Sequence, residues 1–260
     1  MGFISSAKAL ITGQKAYRTH ISANALANNG KPEEAAVKYE QALRMYEEAI
    51  AGGLLPPNIK IGYAILLMRF GKFEQAMDVM QKLRTDKNLK ESDWFDIRLN
   101  YSVCLWKLGR LDEAIATAKR AMQIKTCAAI YNTLGMYLVE KAAQTGDFAE
   151  VETFNAEAID YDDEDAGLLD NMGAMYEAKS KYADDPAPDR EKAKAYFAKA
   201  HAVKPRQIVT LYALARLHHE DGEDDKAREV LNSAENLYYS AVCPITPGMM
   251  EALKKEVGIE

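Results

Sequence analysis

Gly30-Lys31-Pro32-Glu33-Glu34-Ala35 returns, with changes, as Gly71-Lys72-Phe73-Glu74-Gln75-Ala76, Gly109-Arg110-Leu111-Asp112-Glu113-Ala114, Gly146-Asp147-Phe148-Ala149-Glu150-Val151 and Gly222-Glu223-Asp224-Asp225-Lys226-Ala227. The glycines stand 41, 38, 37 and 76 residues apart. Because 76 is twice 38, one more copy lies disguised between residues 146 and 222, in the region ending at Ala193. Six units then fill the 260-residue chain. A period of this size marks stacked repeats, in which each unit buries its apolar face only against its neighbours.

Helical spacing flanks each turn. Ile130, Tyr131, Leu134, Tyr137 and Leu138 precede the fourth turn as one apolar stripe, and Ala114, Ile115, Ala118, Ala121 and Met122 follow the third. The glycine suits the left-handed position that ends a first helix, and the acids beyond it suit the N-terminus of a second. Each unit reads as helix, tight turn, helix.

These hairpins resemble tetratricopeptide repeats. The first-helix pattern of that family, Trp-x-x-Leu-Gly-x-x-Tyr, is matched by Tyr131-x-x-Leu134-Gly135-x-x-Leu138 and Leu169-x-x-Met172-Gly173-x-x-Tyr176. The second-helix pattern is matched by Ala35-x-x-x-Tyr39-x-x-Ala42, Ala193-x-x-x-Phe197-x-x-Ala200 with Pro205, and Ala227-x-x-x-Leu231-x-x-Ala234. The resemblance implies an all-α fold, a right-handed alpha-alpha superhelix (a TPR solenoid) of about six helical hairpins with N- and C-terminal capping helices. It places one solenoid over 1–260, with repeats near 16–50, 57–90, 95–127, 128–163, 165–205 and 207–240. Caps are expected at 2–13, from the stripe Phe3, Ile4, Ala7, Leu10 and Ile11, and at 247–257, where Thr246-Pro247 starts a helix carrying Met249, Met250, Leu253 and Val257.

The period is broken in three places. Ala142 to Thr145 lengthen the fourth unit, the acidic loop Lys181-Tyr182-Ala183-Asp184-Asp185-Pro186-Ala187-Pro188 replaces the fifth glycine turn, and Gly52-Gly53-Leu54-Leu55-Pro56-Pro57 extends the first connection.

Charge is unevenly spread. Residues 1–130 hold 19 Lys and Arg against 13 Asp and Glu, whereas residues 131–260 hold 14 against 26. An acidic second half disfavours nucleic acid, which demands a surplus of cations. Cys104, Cys127 and Cys243 are odd in number and widely spaced, which fits reduced thiols rather than a disulfide framework or metal knuckle. No run approaches the roughly 18 apolar residues of a membrane span. The start lacks a basic n-region, so a cytoplasmic protein is expected, or one from which a signal was removed. Met1-Gly2-x-x-x-Ser6 fits an N-myristoylation pattern with no second membrane signal beside it.

Chemistry motifs are missing: the sequence has no phosphate-binding loop, Gly-x-Gly-x-x-Gly, Cys-x-x-Cys or Gly-x-Ser-x-Gly. His219-Glu220 begins like a zincin helix, but Glu223 stands where the second histidine belongs. Asp160-Tyr161-Asp162-Asp163-Glu164-Asp165 fails the EF-hand pattern, because Asp165 replaces the glycine and Asn171 the bidentate glutamate. It reads as a solvated turn whose acids favour the next helix N-terminus. Neither a cofactor nor a metal is expected, and no enzyme.

In the family the first helices line a concave groove that holds extended peptides or helices. Carried over by position, the resemblance assigns to that groove Tyr17, His20 and Asn24, then Asn58 and Ile61, then Leu99, Asn100 and Val103. It continues with Asn132 and Met136, Asp170 and Asn171, and Tyr212, Arg216 and His219. Asparagine amides donate and accept together, which suits a peptide backbone; the same amides can instead tie neighbouring helices. One subfamily grips C-terminal carboxylates through Lys and Asn. Here His20 and Gly62 stand at two of those positions and only Asn24 survives, so no such clamp is expected. The chain thus reads as a non-enzymatic scaffold or adaptor for an unidentified protein or peptide. Its alternatives are head-to-tail self-association of the basic and acidic halves into a homo-oligomer, and a small-ligand sensor near Arg216 and His219.

Overall fold

The computed structural model describes residues 3–233 and 235–259. Met1, Gly2, Ala234, Glu260 and the side chains of residues 3–5 lie outside the described part, and with them the myristoylation pattern and part of the first expected cap. Thirteen helices and no strand form among the described residues. Two compact units result. Unit 1 runs to Ile124 and also takes in Asn236–Val242; unit 2 comprises Lys125–Glu235 and the chain from Cys243.

In unit 1, α1 (Phe3–Asn28) pairs with α2 (Pro32–Gly52), α3 (Pro57–Arg69) with α4 (Phe73–Leu83), and α5 (Glu91–Lys107) with α6 (Leu111–Met122). In unit 2, α7 (Ala128–Thr145) pairs with α8 (Ala149–Tyr161), α9 (Ala166–Ser180) with α10 (Ala187–Val203), and α11 (Ile208–Glu220) with α12 (Asp224–Asn232), before α13 (Pro247–Glu256). First helices also pack on one another, α1 on α3, α3 on α5 and α7 on α9. This is the all-α hairpin repeat that the glycine turns predict.

All five glycines take the left-handed conformation, with φ from 70 to 76°. At four turns the bond pattern is a Schellman motif: Lys72 N–H donates to the Leu67 carbonyl while Gly71 N–H donates to that of Met68, and the turns at Gly30, Gly109 and Gly222 repeat it. The fourth turn keeps only the bond from Gly146 N–H to the Ala142 carbonyl. None of the second helices that follow carries a side-chain cap; each instead places acids in its first turn, such as Asp112 and Glu113 in α6.

The expected separate cap over 2–13 does not form: α1 is one helix from Phe3 to Asn28. Its buried face is Ala9, Gly13, Ala16, His20 and Ala23, and Ile11 of the expected stripe is 67% exposed. No proline or cap interrupts the chain near residue 13, and Gly13 admits Leu55 and Ile59, which would stand 3.2 and 3.1 Å from a Cβ there. Small residues on α1 face the large ones on α2, where Tyr39 and Tyr46 are fully buried. At the other end Thr246 Oγ1 accepts from Met249 N–H at 3.2 Å and Pro247 opens α13, which buries Met250 and Leu253.

Two of the irregular spacers prove to be one feature. The residues that lengthen α7 place the Ala143 carbonyl where it accepts from the Tyr182 hydroxyl at 2.7 Å, and Tyr182 belongs to the loop that replaced the fifth glycine turn. Its ring lies edge-on to Phe148 at 5.7 Å, and any Cβ on Gly146 would come within 2.9 Å of it. The disguised repeat therefore docks its loop on the turn before it.

Candidate protein-binding surfaces

In unit 1 the expected groove residues divide sharply. His20 is only 3% exposed, edge-on to Tyr39 at 5.9 Å and Tyr46 at 6.2 Å. Burial first, and then the Arg69 charge, push its pKa down to about 4, so it sits neutral with Nε2 unpartnered. Asn24 is spent on its neighbours: its Oδ1 accepts from the Tyr39 hydroxyl at 2.7 Å and from Arg69 Nη2 at 3.2 Å. Ile61 is buried, Leu99 and Val103 are half-buried, and Asn100 donates to the Asp96 carbonyl of its own helix at 2.8 Å. Tyr17 and Asn58 are exposed. At Gly62 a Cβ would lie 2.7 Å from the Tyr46 hydroxyl and 3.0 Å from the Tyr17 ring, which leaves no room for a carboxylate-gripping amide.

Unit 2 joins its first helices by polar contacts spaced 39 or 40 residues apart. Asn171 Nδ2 donates to the Asn132 carbonyl at 2.8 Å, Thr210 Oγ1 to Asp170 Oδ1 at 2.5 Å, and Arg216 Nη2 to Glu177 Oε1 at 2.7 Å. Asn171 is buried, so its amide ties helices rather than meeting a partner. Burial raises the Asp170 carboxyl to about 6, against the hydrogen bonds from Thr210 and Gln207 that pull it down. Arg216 also pairs with Glu220, and His219 Nδ1 lies 2.6 Å from Asp224 Oδ1. Left along these helices are Asn132, which is exposed, and Met136 and Tyr212, which are half-buried.

Sequence reasoning missed Asn155, although a signal was present. In Ala35-x-x-x-Tyr39-x-x-Ala42 and Ala193-x-x-x-Phe197-x-x-Ala200 the middle position is a large aromatic; in Val151-x-x-x-Asn155-x-x-Ala158 it is an amide. Phe197 lies over Gly173, where a Cβ would meet its ring at 2.7 Å. The smaller Asn155 leaves space over Gly135 that Asn171 shares, since a Cβ at 135 would lie 2.8 Å from Asn155 Oδ1 and 2.6 Å from Asn171 Nδ2. Also unforeseen was the ion cluster between α10 and α11. There Lys194 meets Glu191 at 2.6 Å and Asp221 at 2.8 Å, and Arg190 meets Glu220 at 3.0 Å and Asp221 at 2.5 Å.

No group of three or more metal-ligating side chains gathers among the described residues. His218 Nδ1 lies 2.6 Å from Glu223, whose carboxyl is held down at about 2 by the Lys226 and His218 hydrogen bonds. In the acidic run Asp165 caps α9, accepting from Gly167 N–H at 2.8 Å and Leu168 N–H at 3.1 Å. Cys104 is buried, its thiol pushed up to about 12 by burial. A cleft of about 600 Å³ opens in unit 1 beside Tyr63, Leu67, Val79 and Leu83, and none of the expected groove residues lines it. No helix among the described residues is long and apolar enough to cross a membrane.

Comparison with known proteins agrees with the hairpin geometry. The family described as tetratricopeptide repeat matches residues 22–92 and 64–126, and again 208–233, which together make about half of the chain. No curated protein sequence matches. Among solved structures, a thermophilic tetratricopeptide repeat protein of Thermus thermophilus is 17% identical, with a TM-score of 0.56 over 79% of this chain and 98% of that one. A tetratricopeptide repeat protein from Parabacteroides merdae is 11% identical, with a TM-score of 0.54 over 94% and 86%. The APC/C hetero-tetramer Cut9-Hcn1 is 15% identical, with a TM-score of 0.58 over 91% of this chain and 42% of that one. At these identities the likeness speaks to the fold alone. With matching hairpins, matching turns and matching family residues, the chain belongs to the tetratricopeptide repeat family.

Proposed function

We propose that the chain is a non-enzymatic scaffold whose unit 2 offers the first-helix surface of α7, α9 and α11 to an extended or helical segment of another protein. Proteins of this family typically mediate protein–protein interactions, and the ladder across the first helices carries the reading here. Asn171, Asp170 and Arg216 are used up in holding those helices in register, which leaves Asn132, Met136 and Tyr212 as the side chains open to a ligand. A surface fixed in this way loses little entropy on binding. The acidic surplus of the second half favours a neutral or basic segment.

The test is affinity purification followed by titration of the recovered partner. Combined Asn132→Ala, Met136→Ala and Tyr212→Ala substitution is expected to weaken binding about tenfold or more, with the circular dichroism unchanged. Unchanged affinity in that variant overturns the reading. Substituting Asn171 does not serve, because its loss disturbs the fold itself.

A further inference from the structure

Between α12 and α13 seven residues, Asn236-Leu237-Tyr238-Tyr239-Ser240-Ala241-Val242, belong to unit 1 although the helices on either side belong to unit 2. Residues 237–240 have no regular secondary structure, and the stretch carries no charge. It lies as an irregular segment against the first two hairpins and α5. The Tyr238 ring meets Tyr39 at 5.1 Å, and the Arg69 guanidinium lies over both rings, 4.5 Å from the Tyr39 centroid and 5.5 Å from that of Tyr238. Arg69 is itself aimed by Asn24, whose Oδ1 also holds the Tyr39 hydroxyl.

Three positions further on, Ala241 N–H donates to the Arg69 carbonyl at 3.0 Å, a contact blind to side-chain identity. The Ala241 methyl sits 3.3 Å from where a Cβ on Gly71 would be, and Val242 packs into the cluster formed by α3, α4 and α5. Entry to the segment is strained: Asn236, with φ of 56°, is the one residue other than glycine among those described with positive φ.

We infer that Asn24, Tyr39, Arg69 and Gly71 form a second recognition site, for a non-helical, uncharged segment of a partner protein bearing an aromatic residue three positions before a small one. Residues 236–242 are its occupant in cis. The aromatic is read by a stacked guanidinium, the small residue by a glycine that leaves it room, and the spacing by one backbone hydrogen bond. Because the cis segment is tethered, its effective concentration at the site is high, and a free ligand must compete with it. The inference rests on the reading of the chain as a peptide-binding scaffold but uses a different surface.

The experiment follows a fluorescein-labelled peptide of residues 236–242 by anisotropy with the full chain. Tyr238→Ala weakens the cis segment without touching the site, and is expected to raise the peptide's affinity about tenfold or more over the unsubstituted chain. Ala241→Pro, which removes the donated N–H, is a second route to the same release should Tyr238→Ala fold poorly. Adding Arg69→Ala to either variant is expected to abolish the gain, and a peptide with Ala in place of its first tyrosine is expected not to bind. The inference is overturned if both released variants, folded by circular dichroism, bind no better than the parent, or if the gain survives Arg69→Ala. It is equally overturned if release yields only a dimer, in which a second copy's segment closes the site, with no peptide taken up. The Asn132, Met136 and Tyr212 variant is expected to leave this uptake unchanged, so failure of one reading does not imply failure of the other.

Discussion

Units 1 and 2 use the same turn and the same hairpin, yet line the packing between their helices with different chemistry. In unit 1 that packing is aromatic, with small residues of α1 set against Tyr39 and Tyr46 of the same hairpin, His20 enclosed between the rings, and Tyr46 meeting Tyr63 of the next hairpin at 5.7 Å. In unit 2 it is polar, with asparagines around Gly135 and ion pairs from α10 to α11. The turn only has to reverse the chain, and five glycines do this alike. Distinct character arises where the helices pack on one another.

The largest effect is expected at Phe197, the aromatic that unit 2 retains at the middle position of a second helix. Phe197→Ala empties the space over Gly173 and should cost about 3–5 kcal/mol, read as a shift in denaturation midpoint. Gly173→Ala, which drives a methyl into the same ring, should cost about 1–3 kcal/mol. With hydrogen exchange as the probe, Phe197→Ala is expected to lower protection through α7–α12 and spare α1–α6. Equal loss in both units would break the comparison.

Next in size is the amide pair. Asn171→Ala removes the tie to the Asn132 carbonyl and the amide that shares the space over Gly135 with Asn155, for about 1–3 kcal/mol. Asn155 and Asn171 share the space over Gly135, so the double substitution should cost less than the two single losses together. Additive losses would mean that the two amides act separately.

Acid separates the units by sign. His20 has its folded pKa lowered to about 4 from an ordinary 6.5, so the unfolded chain takes up the proton first. Its stabilisation of unit 1 is complete above about pH 6.5 and is lost as pH falls towards 4. Asp170 has its folded pKa raised to about 6 from 3.8, so the folded state holds the proton longer, and its contribution to unit 2 is lost as pH rises through 6. Between pH 6.5 and 4, unit 1 is therefore expected to lose hydrogen-exchange protection from His20 while unit 2 gains from Asp170. Asp170→Asn should flatten the second trend and leave the first; a common slope in both units would refute the assignment.

The hairpins were legible because their signals are local. A glycine, the acids after it and an apolar stripe all lie within one hairpin, and Thr246-Pro247 announces α13 in two residues. The contacts between helices were less so, because several join residues 39 to 45 apart whose types follow no repeat: Asn171 with Asn132, Asn24 with Arg69. The amides that invited a peptide reading are thus partly structural, and only the aromatic slot held by Asn155 hinted at it. Residues 236–242 were least legible of all, since the bond from Ala241 to Arg69 spans most of the chain and no periodicity marks it.

The smallest expected effect concerns charge, where the unit boundary keeps the sequence trend. Unit 1, with an uncharged segment 236–242, holds 18 Lys and Arg against 13 Asp and Glu; unit 2 holds 15 against 26. Opposite net charges on two surfaces of one chain favour contacts between copies, and such contacts do not close automatically. Much of unit 2's basic complement is already committed, with Arg190, Lys194 and Arg216 each bound to acids of α11 or its turn. Its carboxylates therefore outnumber the cations that could neutralise them from within, but exposed pairs are each worth only about 0–1 kcal/mol and are screened within about 10 Å at 0.1 M salt. Light scattering is accordingly expected to show mass rising weakly above 29.0 kDa with concentration at low ionic strength, and returning to it at high. A strict monomer at both would show that the charge difference between the units does not join copies of the chain, and would leave the steering of partners as its one remaining role.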